Sequence, residues 1–321
     1  MRAIRIDRFG GPEVMHLEDV PSPTPGLREL LVDVAFAGVN YRDVYEREGS
    51  YGGTPPLILG AEGAGTVAAA GPDVSEFAPG DRVAWAGAPG SYAEQVLLDA
   101  DRAVPVPEAV GLELAAASIL QGMTAQYLCT ATYPVEAGET ALVHAAAGGV
   151  GLLLTQLVKL HGGRVIGTTS TQEKEELARN AGADEVIRYE GFADRVRELT
   201  GGEGAAVVYD GVGQATFDES LAALRTRGSL VVYGAASGPP PALDPQRLMS
   251  GGSLYLTRPS LVHYTRTRGE LLDRARDVFD WIATGTLDVR IGGRYPLEQA
   301  RDALEDLTAR RTSGKLLLVV R

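Results

Sequence analysis

Cysteine occurs once in the 321 residues, as Cys129, which excludes an intramolecular disulfide and a structural zinc site built from four thiolates. Histidine is almost as scarce: His16, His144, His161 and His263 are scattered and offer no ligand cluster. Basic residues are in deficit, 30 against 42 acidic, and the formal charge of −12 argues against nucleic acid or an anionic membrane as the main partner. Unbroken apolar runs of membrane-spanning length are lacking too. Of the two charge-free stretches, 114–135 is interrupted by Ser118, Gln121, Gly122, Thr124, Gln126 and Pro134, and 140–158 passes through a glycine turn. Both read as buried helices and a central strand. No repeat array or low-complexity tail is present. Met1 to Arg5 alternate as a strand does and no signal-peptide pattern follows, so a reducing cytoplasm is the expected location.

What the chain does have is a glycine turn, Ala146-Ala147-Gly148-Gly149-Val150-Gly151, between the apolar run Ala141 to His144 and a helical pattern from Leu152. At such a strand-to-helix turn, Gly148 admits a pyrophosphate to the backbone. Gly151 lets the helix pack on the sheet, and the unpaired N–H groups of the helix start attract anions. Because Ala146 stands where G-x-G-x-x-G has its first glycine, a purely structural turn is the competing reading. The surroundings favour a dinucleotide. A strand Arg164 to Gly167, a helix Gln172 to Asn180, a strand Glu185 to Tyr189 and a helix Phe192 to Leu199 follow in turn. After them come a strand Ala206 to Asp210, a helix Phe217 to Leu224 and a strand Ser229 to Gly234. This is the alternation of a doubly wound parallel sheet.

Before about Pro107 the texture differs: short strand-like runs such as Leu30 to Val39, Gly65 to Ala70 and Arg82 to Trp85 lie between Gly, Pro and Asp turns. After Ser260 come helices over Glu270 to Ala283 and Leu297 to Leu307, then a strand Lys315 to Val320, which needs a sheet to join. The expected organisation is a mostly β, barrel-like domain over 1–121, completed by 260–321, with the dinucleotide domain inserted at 122–259.

The turn Gly38-Val39-Asn40-Tyr41-Arg42-Asp43, with Leu59-Gly60-Ala61-Glu62-Gly63, His144 to Gly151, Tyr209-Asp210-Gly211-Val212-Gly213 and Gly252 to Pro259, resembles the medium-chain dehydrogenase/reductase superfamily. Within it, the chain looks like the zinc-independent NADPH:quinone oxidoreductases, the zeta-crystallin-like group. The resemblance implies an α/β chain with a GroES-like β-barrel catalytic domain and a Rossmann domain. In zinc-dependent relatives a Cys stands at the place of Asn40 and a His at that of Ala61, so no metal is expected here. Without a Lewis acid, alcohol oxidation is disfavoured.

For the cofactor, no carboxylate follows the second strand until Glu173, where NAD-selective versions place an acid about 20 residues past the glycines. Ser170 and its threonine neighbours offer hydroxyls and Lys174 a charge for a 2′-phosphate, with Tyr189 closing the pocket. The resemblance implies the same, adding Arg310 or Arg311; the plainer reading leaves Lys174 on a solvated face, Glu173 to Glu176. It further implies cofactor contacts at Thr124, Gly148, Gly149, Val150, Gly213, Gly234, Ser237, Leu256 and Arg258, although Ser237 also reads as a turn former. The resemblance also puts Asn40, Tyr45 and Tyr51 on the substrate side of the cleft, and each can donate a hydrogen bond to a quinone oxygen that gains charge on hydride transfer, so they are the candidate catalytic donors. Tyr45 alternatively packs under its helix, and Arg42 and Asp43 read as local pairing or capping groups. The leading expectation is an NADPH-dependent quinone reductase. Its alternatives are a 2-alkenal or enone C=C reductase and, from another class, a cofactor-binding structural or RNA-binding protein. A homodimer through the strand Ser253 to Thr257 is expected.

Overall fold

In the computed structural model, which describes all 321 residues, the chain opens with β1 (Arg2–Ile6), β2 (His16–Asp19) and β3 (Glu29–Val39). Then come α1 (Tyr41–Arg47), β4 (Leu57–Ile58), β5 (Glu62–Ala70), β6 (Arg82–Ala86), β7 (Gln95–Asp99), β8 (Val104–Pro105) and α2 (Leu112–Tyr127). The next elements are β9 (Thr140–Val143), α3 (Gly149–Leu160), β10 (Arg164–Thr168), α4 (Gln172–Asn180), β11 (Glu185–Ile187), α5 (Phe192–Leu199) and β12 (Ala205–Asp210). They continue with α6 (Phe217–Ala222), β13 (Leu224–Val232), α7 (Gln246–Ser250), β14 (Tyr255–Thr257) and α8 (Leu261–Tyr264). The chain closes with α9 (Arg268–Ala283), β15 (Ile291–Pro296), α10 (Ala300–Thr308) and β16 (Lys315–Val319). No helix is long and apolar enough to cross a membrane. Two compact units result, one of Met1–Met123 with Thr265–Arg321 and one of Thr124–Tyr264.

The first unit is mostly β. A small sheet runs β2-β1-β4, and a seven-stranded sheet runs β15-β16-β3-β5-β6-β8 with β7 also paired to β3. Alternation along β3 buries Leu30, Val32 and Val34, which join Trp85, Tyr92, Leu98, Leu316 and Leu318 in one core. Each such side chain contributes about 1.5–3 kcal/mol on burial. The terminal strand β16 lies between β15 and β3, antiparallel to β3 through Leu316↔Val39 and Leu318↔Ala37.

The second unit is a six-stranded parallel sheet of order β11-β10-β9-β12-β13-β14. Counted from its own first strand this is 3-2-1-4-5-6, the Rossmann order. Every residue of β12 is buried, as expected of a strand covered on both faces.

Local pattern and structure differ at several element ends. The helix expected to reach Leu224 stops at Ala222 because Leu224 pairs with Ala205 and begins β13, five residues before the expected strand start. The strand expected through Tyr189 ends at Ile187, where Arg188 turns to bind the preceding loop. The edge strand begins at Tyr255 because Ser253 takes a left-handed φ of 58°.

One feature of the first core is ionic. Lys315, the first residue of β16, is 1% exposed and pairs through Nζ with the carboxylate of Glu62 on β5, itself 0% exposed. Lys315→Met leaves that carboxylate buried without its cation, an expected loss of about 3–5 kcal/mol. Lys315→Met/Glu62→Gln removes both charges and recovers most of it. Urea unfolding checks this, and a single variant as stable as the parent would refute a desolvated pair.

Candidate dinucleotide and acceptor sites

The open α/β sheet presents its carboxyl ends where strand order reverses, between β9 and β12. β9 runs into Ala145, which takes a left-handed φ of 50° and reverses the chain toward α3. Gly148 caps α3 with no side-chain hydrogen bond, so the first N–H groups of this helix are left to a ligand. Gly151 is required by packing: a Cβ there would stand 2.3 Å from the Ala145 carbonyl oxygen and 2.8 Å from the Ala146 Cα. Opposite, Gly213 has φ 88°, and a Cβ on it would lie 2.6 Å from the Gly238 carbonyl oxygen. The cradle therefore fits a group that needs backbone contact, such as a pyrophosphate.

Beneath it lies a buried polar chain. Asp210, at the end of β12, accepts hydrogen bonds from the Val212 and Gly213 N–H groups at 2.8 and 2.9 Å and from Thr216 Oγ1 at 2.7 Å. Ser220 donates its one hydroxyl proton to Asp210 at 3.2 Å, so its oxygen accepts from His144 Nε2 at 2.9 Å. His144 Nδ1 then accepts from Thr168 Oγ1 at 2.9 Å. Burial pushes the imidazole down to about 4, against the opposing pull of the Asp210 charge, and keeps it neutral. The chain ties together the ends of β9, β10 and β12. The sequence reading had His144 only as a group near a strand end.

Past β10, Ser170 is exposed and Thr171 caps α4, its hydroxyl accepting from the Lys174 N–H at 3.3 Å. Lys174 is half-buried on the first turn. Tyr189 accepts the Ala145 N–H at its hydroxyl, 3.1 Å, and so joins this loop to the glycine turn. Arg188, which sequence reasoning missed, donates to Thr169 Oγ1 at 2.8 Å and to the Thr171 carbonyl at 3.1 Å, while its other nitrogen pairs with Glu175. Among the remaining dinucleotide candidates, the Gly234 N–H reaches the Asp210 carbonyl at 3.3 Å. Ser237 Oγ clamps a turn between the Val212 carbonyl and the Ala215 N–H. Arg258 donates to the Val232 carbonyl at the end of β13. Gly149 and Val150 open α3, Thr124 is buried in α2, and Leu256 is 38% exposed on β14, away from the glycine turn in strand order. Arg310 and Arg311 belong to the first unit. There Arg310 bonds Tyr41, and Arg311 is turned into Asp306 at 2.5 Å.

The acceptor candidates cluster around α1. Asn40 caps the helix and is 5% exposed; both its amide hydrogens are spent, on Glu62 at 2.8 Å and on the Gly38 carbonyl at 3.3 Å. Its oxygen accepts from Lys315 at 2.8 Å and Gln121 at 3.1 Å. Asp43 closes the capping box by accepting the Asn40 N–H and also takes the Tyr92 hydroxyl at 2.7 Å. Burial raises its carboxyl to about 7 despite these bonds. Tyr45 stacks on Tyr51 with ring centres 5.8 Å apart. Tyr51 is 55% exposed and its hydroxyl makes no hydrogen bond, so it is the free donor of the three.

A family pattern described as "Alcohol dehydrogenase GroES-like domain" matches residues 26–108, and one described as "Zinc-binding dehydrogenase" matches 149–283. A quinone oxidoreductase of Pseudomonas aeruginosa is 44% identical over 99% of both chains, and a 2-haloacrylate reductase of Burkholderia is 38% identical over 98% of this chain and 97% of its own. A mycobacterial protein solved in complex with NADPH superposes with a TM-score of 0.97 at 50% identity, covering 100% of both chains. Fold and site thus define an oxidoreductase that joins a GroES-like domain to a Rossmann domain. The chain belongs to the quinone oxidoreductases of the medium-chain dehydrogenase/reductase superfamily.

Because the folded pKa of His144, about 4, lies below its unfolded value of about 6.5, its contribution to stability is present above about pH 6.5 and is lost as pH falls toward 4. The stability advantage of the parent over His144→Asn should therefore be largest at pH 7 and shrink by pH 4.5 in urea unfolding. A constant difference would refute a buried neutral imidazole.

Proposed function

We propose that this chain uses NADPH to reduce quinones without a metal ion. The observation that carries the reading is the loop after β10, which offers Ser170, Thr171 and Lys174 beside an uncapped glycine turn and no carboxylate before Glu173. Gly148, Gly149 and Val150 would hold the pyrophosphate. Ser170, Lys174 and Tyr189 would hold the 2′-phosphate. Gly213, Gly234, Ser237, Arg258, Leu256 and Thr124 are assigned to the rest of the dinucleotide. The reduced nicotinamide, when bound, supplies a hydride that with one solvent proton converts a quinone to a hydroquinone.

The protein contributes orientation and charge stabilisation. Tyr51 is assigned the hydrogen bond to the acceptor oxygen that gains charge, and Tyr45 supports it by stacking. Asn40 is assigned to the frame, since its amide is saturated by Glu62, Gly38, Lys315 and Gln121. The metal-free reading is supported by Asn40 and Ala61 at the two places where zinc-dependent relatives have ligands. Reduction of an activated C=C bond is the second reading, favoured by the 2-haloacrylate reductase relative. A structural or RNA-binding role is opposed by the charge of −12 and the open cradle. We also assign the protein to the cytoplasm, in line with its one buried thiol.

NADPH oxidation assays with 1,4-benzoquinone and with a 2-alkenal separate the two enzyme readings, and turnover of the quinone is expected. Lys174→Ala should raise the KM for NADPH at least tenfold more than that for NADH; equal effects would remove Lys174 from the phosphate site. If NADPH gives no thermal stabilisation, the reductase reading itself falls. A homodimer is proposed through β14, an edge strand that leaves Tyr255 62% exposed. Light scattering at micromolar concentration should return twice the chain mass, and a monomer mass would refute the assignment.

A further inference from the structure

The tyrosines of the acceptor site share their space with a cation that quinone reduction does not require. Arg42, on the first turn of α1, was expected to pair locally. It has no carboxylate oxygen within 4.0 Å, whereas Arg47 and Arg188 nearby in sequence to the two sites are each paired. Its guanidinium carbon instead lies 5.5 Å from the centre of the Tyr51 ring. One of its terminal nitrogens, Nη1, stands 3.8 Å from where a side chain on Gly87 would begin, so the head group occupies the space between α1 and the turn after β6. Its Nε is buried and bonded to nothing.

The acid facing it is Glu46, one helical turn on. Burial raises the Glu46 carboxyl and the Arg42 charge opposes that rise, yet the two do not close to an ion pair, and Glu46 Oε2 is also buried without a partner. Arg42 is thus a partly desolvated cation resting on an aromatic face, with a planar fork left without an anion. Guanidinium groups in this setting bind carboxylate or sulfonate strongly, because the donors are fixed and little hydration remains to be lost.

We infer that Arg42 makes the acceptor site selective for planar acceptors that carry an anionic substituent. The inference rests on the assignment of Tyr51 as the acceptor-binding group. An acceptor bonded to the Tyr51 hydroxyl sits at the edge of the ring that Arg42 covers, so a carboxylate or sulfonate on it would supply the partner the guanidinium lacks. A neutral quinone gains the hydrogen bond only.

The test compares 1,4-naphthoquinone with 1,4-naphthoquinone-2-sulfonate at saturating NADPH. The sulfonate is intrinsically the easier to reduce, so the quantity read is the ratio of the two kcat/KM values in each variant. Arg42→Met keeps the apolar stem. It should lower the sulfonate-to-neutral ratio at least tenfold, Arg42→Lys should lower it less, and added salt should reduce the ratio of the parent more than that of the Met variant. In parallel, calorimetric binding of naphthalene-2-sulfonate to the NADP⁺ complex should weaken at least tenfold in Arg42→Met. A ratio and an affinity that are both indifferent to residue 42 would overturn the inference while leaving quinone reduction standing. Loss of anion binding in Arg42→Met, in a protein that reduces neither quinone, would support the anion site and refute the reductase reading.

Discussion

The contact between Gly151 and the Ala145 carbonyl leaves no room for a β carbon, and the dinucleotide end of the protein is organised around it. That closeness sets the start of α3 directly over the end of β9. The N–H groups of the helix then converge on the point where the parallel sheet changes direction. Ala145 accepts a left-handed conformation to make the turn, a cost of about 1–2 kcal/mol for a residue with a side chain. The Tyr189 hydroxyl, which receives the Ala145 N–H, holds that residue in place from the third strand.

Each candidate site stands on a buried polar network whose members are nearly all satisfied. Under the glycine turn it is Thr168, His144, Ser220, Asp210 and Thr216. Under α1 it is Gln121, Asn40, Lys315 and Glu62. Such groups are costly to bury unless each donor and acceptor is used, and here use has the further effect of withdrawing them from ligand binding. What remains toward a ligand is a short set: the α3 start and Ser170 in one unit, and Tyr51 with Arg42 in the other.

The fold class was legible because its signals are local. Continuous apolar runs mark strands covered on both faces, and the α5 pattern Phe192 to Leu199 matches the observed helix at both ends. The networks were not legible. Lys315 and Glu62 meet across a separation of 253 residues, and nothing in the leucine run after Lys315 or the glycines around Glu62 says that these charges face each other. Glu62 within Gly-Ala sequence was the available hint, since a carboxylate in an apolar strand needs a partner. Asn40 shows the other limit: residue type pointed to a free donor, whereas its neighbours consume the amide. Leu224 shows a third, a helical pattern overruled by pairing with Ala205.

The placement of β16 in the interior of its sheet bears on the order in which the molecule is made. A ribosome delivers residues 124–264, a complete parallel sheet, before it delivers the strand that lies between β15 and β3. The inserted unit can therefore condense on the nascent chain while the unit that begins at Met1 still exposes one side of β3 and an acidic side chain at Glu62 awaiting its counter-charge. Vectorial synthesis thus makes the N-terminal unit, though first to emerge, the last to close.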